Sequence, residues 1–205
     1  TSYPSDFKDD VIDVMAKHSN IMKFIHLPVQ SGSNSVLKRM ARRYTKEEYV
    51  NLVNKIREKI PNIEFSTDII VGFPNETYDE FLETLDLVKE IHYTSAFTFI
   101  YSPRVGTPAA KLKDDVSYNE KVSRFKKLVS TLEVDINKIA DSMVGKTYEV
   151  LVEEISKKNS SLLTGYTENM KVVHFKGDKN LIGKIVKVKI LENHLYALMG
   201  EIVNE

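Results

Sequence analysis

The sequence predicts an α/β fold of parallel strands followed by a small antiparallel β-barrel. Three observations carry that expectation. Capping boxes open runs of helical period, and short apolar runs rich in β-branched and aromatic residues alternate with them. From Lys146 onward the helical period stops, and short strand-like runs follow one another between polar turns.

A first helix is expected from Asp6 to Lys17, with Val11, Ile12 and Met15 turned inward. The capping box Thr45-Lys-Glu-Glu48 starts a second, in which Tyr49, Val50, Val53, Ile56 and Ile60 recur at helical spacing until Pro61 stops them. Thr77-Tyr-Asp-Glu80 starts a third, with Phe81, Leu82, Leu85, Val88 and Ile91 on one side. Ser117-Tyr-Asn-Glu120 starts a long one, carried by Val122, Phe125, Leu128, Val129, Leu132 and Ile136 to about Met143. Between these lie Met22–Leu27, Phe65–Val71 and Ala96–Tyr101, which read as strands. Helix and strand alternate, which implies right-handed βαβ units and a parallel sheet. Three strands do not close a barrel. They form a small open sheet or an arc of a larger barrel, and Thr1-Ser-Tyr-Pro4 would be the tail of one further strand.

After Gly145, Tyr148–Ile155, Leu162–Tyr166, Lys171–Phe175, Ile185–Leu191 and Ala197–Val203 read as strands. Five short strands in about sixty residues suit a small antiparallel barrel. The expected division is therefore 1–143 and 146–205.

Composition narrows the function classes. With 29 basic and 29 acidic residues the net charge is zero, so any attraction for nucleic acid must be local. No apolar run is long enough to span a bilayer and no signal-peptide pattern opens the chain, so a cytosolic location is expected and no membrane partner. There is no cysteine, hence no disulfide. The histidines at 18, 26, 92, 174 and 194 have no metal-ligand spacing, and structural roles are expected for most of them.

Three segments could carry chemistry. Gln30-Ser-Gly-Ser-Asn34 follows a strand and precedes a short helix, the position where α/β folds bind ligands. Gln30 and Ser31 offer hydrogen bonds there, and the plainer reading is a loop with an N-cap at Ser33 or Ser35. In Ser66-Thr-Asp-Ile-Ile-Val-Gly-Phe-Pro74, alternation puts Ser66, Asp68 and Ile70 on one face and Thr67, Ile69 and Val71 on the other. A carboxylate inside a parallel strand needs a ligand or a basic neighbour. In Phe97-Thr-Phe-Ile-Tyr101, Phe97, Phe99 and Tyr101 share a face, and Phe97 and Phe99 are expected to be core rather than a stacking platform. Arg104 in the following loop could clamp an anion or simply be solvated. Arg39, Arg42 and Arg43 could likewise meet an anion or face water.

Taken together, His26-Leu-Pro-Val-Gln-Ser-Gly32, Arg43-Tyr-Thr45, Asp68–Pro74 and Ser102-Pro-Arg-Val-Gly-Thr-Pro108, in this order and at these separations, resemble the methylthiotransferase family of radical S-adenosylmethionine (SAM) enzymes. The tail from Lys146 resembles the TRAM domain, a β-barrel of RNA-modifying enzymes. Gly165-Tyr-Thr-Glu-Asn-Met-Lys-Val-Val-His-Phe175 and Ile182-Gly-Lys184 look most like the branch that acts on tRNA, with the branch acting on a ribosomal protein as the rival. A further alternative is an RNA-binding module without catalysis.

The resemblance implies the C-terminal part of a parallel radical SAM (β/α) barrel plus an OB-like TRAM barrel. The parent enzyme would use SAM and two [4Fe–4S] clusters. It would add a methylthio group to C2 of isopentenyladenosine beside the anticodon, so tRNA and its anticodon stem-loop are the implied partner. The family holds its clusters on cysteine thiolates, and this chain has none, so the chain would be a fragment separated from its N-terminal cluster-binding half and inactive alone. The abrupt start at Thr1 fits that expectation. The family's Gly-x-Ile-x-Gly strand falls on Asp68-x-Ile70-x-Gly72, with Asp in place of the first Gly and Asn75 at the Glu position. Cofactor contacts would then come from Gln30, Ser31, Asp68, Ile70, Gly72, Phe99, Tyr101 and Arg104, with Ile70 and Gly72 flanking adenine. RNA contacts are expected from Lys171, Lys176, Lys187 and Lys189.

Overall fold

In the computed structural model, which describes residues 2–203, the chain separates into two compact units. Ser2–Ile21 with Ile25–Asp135 make the first. Met22–Phe24 with the stretch from Ile136 make the second. Thr1, Asn204 and Glu205, which the expected strand tail and barrel included, lie outside the described residues.

The first unit is built on a three-stranded sheet of order β1-β2-β3, formed by β1 (Phe24–His26), β2 (Glu64–Val71) and β3 (Ser95–Ile100). β2 and β3 run parallel, pairing Ser66 with Ser95 through Val71 with Ile100. β1 is shorter than the expected Met22–Leu27 at both ends, and at its C-terminal end Pro28 has no N–H to donate. Leu27 N still donates to Ser66 O (2.8 Å), and Val29 N turns to Thr67 Oγ1 (2.9 Å). The chain rejoins β2 at Gln30, which bonds Asp68 O and Ile70 N.

The helices are α1 (Asp9–Lys17), α2 (Asn34–Arg39), α3 (Lys46–Lys59), α4 (Tyr78–Ile91) and α5 (Tyr118–Met143). α1 starts later than the sequence suggests, after a 3-10 turn at Pro4–Asp6, and buries only Ile12; Val11, expected inside, is 40% exposed. Surface ion pairs Asp9–Lys55 and Asp13–Lys59 tie α1 to α3. The capping boxes at Thr45–Glu48 and Thr77–Glu80 form in full. The one at Ser117 forms by half: Ser117 Oγ accepts from Glu120 N (3.2 Å), while the Glu120 carboxylate turns to Arg124 Nε (2.9 Å).

One face of β2 is the core. Phe65, Thr67, Ile69 and Val71 are buried, as are Tyr49, Val53 and Ile56 of α3 and Phe81, Leu85 and Val88 of α4. Burying a side chain of this size contributes about 1.5–3 kcal/mol each. Polar groups that enter this core are paired. Tyr93 OH donates to Tyr49 OH (2.9 Å), which donates to Leu27 O (2.8 Å), and burial pushes both phenols above their usual range.

The second unit is a closed barrel of order β4-β5-β6-β8-β7, from β4 (Thr147–Ile155), β5 (Leu163–Thr167), β6 (Val172–Phe175), β7 (Ile185–Asn193) and β8 (Leu198–Ile202). Its interior holds Val150, Val152, Leu163, Val173, Phe175, Val188, Ile190 and Leu198, and Ala140 and Met143 at the end of α5 join that cluster. The five strands stand where the alternation placed them. Their pairing is mixed rather than wholly antiparallel, because β6 and β8 run parallel from Val173–Leu198 to Phe175–Gly200.

Candidate functional site

The second face of β2 carries the candidate site. Helices cover the Phe65–Val71 face, so the residues between them, Ser66, Asp68 and Ile70, point to the side without helices. At the closed end of this face, His26 Nδ1 lies 2.8 Å from Ser66 Oγ, and Ser66 is 2% exposed. His26 Nε2 lies 3.4 Å from Asp68 Oδ1, whose side chain is 26% exposed. The imidazole shares a hydrogen bond with the serine hydroxyl and stands within ion-pair distance of the carboxylate. Asp68 thus has its basic neighbour, and it also keeps accessible surface.

In register with Asp68 stands Phe97, and in register with Ile70 stands Phe99. These rings were expected in the core. They are 60% and 49% exposed, because β3 turns them to the face that the helices leave uncovered. Phe97 meets the His26 ring edge-on at 5.8 Å.

The loop after β1 is more rigid than a solvated turn. Gln30 is 8% exposed at φ 72°, a left-handed conformation that costs a side-chain-bearing residue about 1 kcal/mol, held by its two bonds to β2. Ser31 is fully buried, and its hydroxyl lies 3.3 Å from Thr84 Oγ1 on α4, away from the open face. Gly32 is obligatory: a Cβ would stand 2.6 Å from Glu83 O and Thr84 Cα. Arg39, one of the possible anion contacts, is committed to Glu80 by two bonds of 3.0 and 2.7 Å. Burial works against the Glu80 carboxylate, yet bonds from Arg39, Ser35 and Thr77 N–H bring it down to about 2.

At the C-terminal end of β2 the chain turns at Gly72 (φ 70°), where a Cβ would collide with Lys121 Cγ at 2.4 Å. Gly72 N donates to Glu76 Oε2 (2.7 Å). Glu76 is 3% exposed and pairs with Arg124 Nη1 (2.9 Å), which also reaches Glu76 O (2.7 Å) and Thr77 O (3.3 Å). Burial raises the Glu76 carboxyl despite these bonds. Lys121 is equally enclosed, bonded to Asp114 (2.5 Å) with its ammonium 5.3 Å from the Tyr101 ring centroid. Tyr101 packs edge-on against Phe73 (5.1 Å), and its hydroxyl is buried without a hydrogen-bond partner. Arg104 lies on an exposed loop.

Sequence reasoning missed Glu76, Lys121 and Arg124, since a charged residue in a turn, like Glu76, or on an amphipathic helix, like Lys121 and Arg124, reads as solvated. The signal available was the spacing Gly72-Phe-Pro-Asn-Glu76, which lets a carboxylate fold back onto the turn amide.

On the barrel, Lys187 and Lys189 are exposed along β7, while Lys171 and Lys176 flank β6. Glu149 stands opposite Lys187, and Glu201 opposite Lys189. The lysines therefore sit in a mixed-charge surface rather than an isolated basic stripe.

An iron–sulfur cluster does not fit the donors of this chain, which lacks thiolates; among the described residues no three His, Asp or Glu side chains converge as metal ligands. Also among the described residues, no helix is long and apolar enough to cross a membrane.

Comparison with known proteins gives two family matches. The Radical SAM superfamily model matches residues 1–88, and the TRAM domain model matches residues 141–203. The chain is similar throughout its length to proteins named tRNA-2-methylthio-N(6)-dimethylallyladenosine synthase, 53% identical to that of Bacillus subtilis and 51% to that of Geobacillus kaustophilus. It spans about 40% of the length of those relatives. Among solved structures, the archaeal Methanocaldococcus infernus Elp3 with an N-terminal deletion superposes with a TM-score of 0.50 at 11% identity, over 94% of this chain and 56% of that one, a likeness of fold.

Proposed function

We propose that the chain belongs to the TRAM-bearing methylthiotransferase family of radical SAM proteins and is the C-terminal part of a tRNA methylthiotransferase. The whole protein would add a methylthio group to C2 of isopentenyladenosine beside the anticodon. The observation that carries this reading is identity of about half the residues along the entire chain, through both units, to enzymes named for that product. The ribosomal-protein branch has no comparable support.

The division of labour follows from the donors present. The part of the protein beyond this chain would hold the clusters and generate the radical from SAM. This chain supplies a sheet face and strand ends against which the cofactor would be oriented. Ile70 and the Gly72 turn would flank adenine, while Gln30 and Asp68 face the polar part of the ligand and Phe99 and Tyr101 bound its far side. Ser31 acts through Thr84 by fixing the loop, and Arg104 is free to reach an anionic group from its exposed loop. The TRAM barrel, with Lys171, Lys176, Lys187 and Lys189, would hold the anticodon stem-loop. A cytosolic site of action goes with such a substrate.

The test uses this chain with an isopentenylated anticodon stem-loop and with SAM in separate fluorescence titrations. Saturable stem-loop binding that weakens with salt is expected. Anaerobic incubation with iron and sulfide should give no bound cluster and no deoxyadenosine from SAM. Absence of RNA binding at low salt, or a stoichiometric cluster on this cysteine-free chain, would overturn the reading.

A further inference from the structure

Lys121 is a buried cation that the packing around it does not require. It closes the first turn of α5, its N–H bonded to Ser117 O (3.0 Å), and it is 5% exposed. Burial disfavours its charge, and so does the positive end of the α5 dipole. The work of its stem is apolar: Cγ and Cδ occupy the space that a Cβ at Gly72 would need. A methionine of similar length would fill that space without either cost. Its partner Asp114, with 37% of the side chain accessible, would then return to solvent instead of being stranded. Enclosed ion pairs replaced by apolar side chains are often as stable or more so. The charge at this position therefore has a role other than stability.

Its contacts point to that role. The ammonium bonds Asp114 (2.5 Å), at the end of the connection between β3 and α5, and lies 5.3 Å from the Tyr101 ring centroid, within cation–π range. Tyr101 extends the β2–β3 pairing by one residue, its N–H donating to Val71 O (2.9 Å), so it stands beside the Gly72 turn. Phe73, the residue after Gly72, meets the same ring edge-on at 5.1 Å. The Tyr101 hydroxyl has no hydrogen-bond partner among the described residues. Hydrogen bonding therefore does not set the orientation of this ring; the cation and Phe73 do.

We propose that Lys121 is a positioning residue for the cofactor: its charge holds the Tyr101 ring in the orientation against which the adenosine part of the ligand packs. Asp114 balances the charge, and Lys121, enclosed behind the Gly72 turn, touches no ligand itself. The inference rests on the reading above, which puts adenine at Gly72, and adds to it the group that prepares the site from behind.

The test pairs a stability measurement with a binding measurement. In the 205-residue chain, Lys121→Met should leave the urea midpoint unchanged or raised, while NMR signals of the Tyr101 ring move. In the cluster-loaded whole protein, calorimetric titration with S-adenosylhomocysteine should show affinity weakened about fivefold by Lys121→Met, the size of one cation–π contact. Tyr101→Leu should weaken it as well, and the double variant should be no worse than Tyr101→Leu alone, because both changes act through one ring. A lowered urea midpoint for Lys121→Met would make the pair a structural one. Unmoved Tyr101 signals, unchanged affinity, or losses that multiply in the double variant would each overturn the positioning role. If the unsubstituted whole protein binds S-adenosylhomocysteine and Lys121→Met binds it equally well, only this inference fails. If the unsubstituted protein binds none, the cofactor reading fails and takes the inference with it.

Discussion

Replacing Arg124 with leucine removes the cation from the most enclosed ion pair among the described residues, with 6% and 1% of the two side chains accessible. Four groups lose a donor at once: the Glu76 carboxylate, Glu76 O, Thr77 O and the Glu120 carboxylate. Gly72 N–H still donates to the Glu76 carboxylate. Breaking a buried pair from one side costs about 3–5 kcal/mol, because the remaining charge is left uncompensated. Glu76 can escape by taking up a proton, and burial already favours its protonated form. The loss should therefore be full at neutral pH and smaller in acid. Glu76→Leu combined with Arg124→Leu should cost clearly less than the sum of the single changes. Urea unfolding gives the total, and amide exchange at Gly72 reads the local effect on the turn. A loss below about 1 kcal/mol at neutral pH, or strict additivity in the double-mutant cycle, would refute the view that this pair holds the turn at the end of β2.

Glu80 shifts in the opposite direction from Glu76. Its carboxyl falls from 4.5 to about 2 in the folded chain, so its contribution is present above 4.5 and lost as pH falls toward 2. The full shift corresponds to about 3 kcal/mol, and partial solvent access brings this to about 1–2; Glu80→Gln should flatten acid unfolding across that interval, and an unchanged profile would count against the Arg39 contact. Asp68→Asn should leave the stability of this chain within about 1 kcal/mol, since the side chain sits on an open face, while depressing turnover of the whole protein at least tenfold. A stability loss of several kcal/mol with normal turnover would make Asp68 a structural ion-pair partner. Lys187→Glu with Lys189→Glu should weaken tRNA binding and flatten its salt dependence by about one unit of log–log slope per lost phosphate contact. An unaltered slope would remove those lysines from the interface.

The periodic elements were legible because their physics is local. Capping boxes at Thr45 and Thr77 and five short strands after Gly145 are written within a few residues of one another. The parallel β6–β8 pairing was not legible, since no residue within either strand says which neighbour it will meet. Alternation correctly grouped Phe97 with Phe99 but is silent on which face the helices cover, so two exposed rings were read as core. Val11 was misread for a related reason: α1 buries a stripe only one residue wide. Charge misled in the other direction. Arg124 and Lys121 sit on a long polar helix and are nonetheless 5% exposed, because the Gly72 turn folds against them. At the candidate site, Asp68 stood out as a carboxylate inside a strand, whereas its partner His26 could be found only by adding β1 to the sheet.

The most direct test of the central proposal is mass spectrometry of tRNA nucleosides from cells in which the gene encoding this chain has been deleted and then restored. Expected are loss of 2-methylthio-N6-isopentenyladenosine, accumulation of N6-isopentenyladenosine, and recovery of the methylthio nucleoside on restoration. Unchanged methylthiolation in the deletion strain would contradict the proposal.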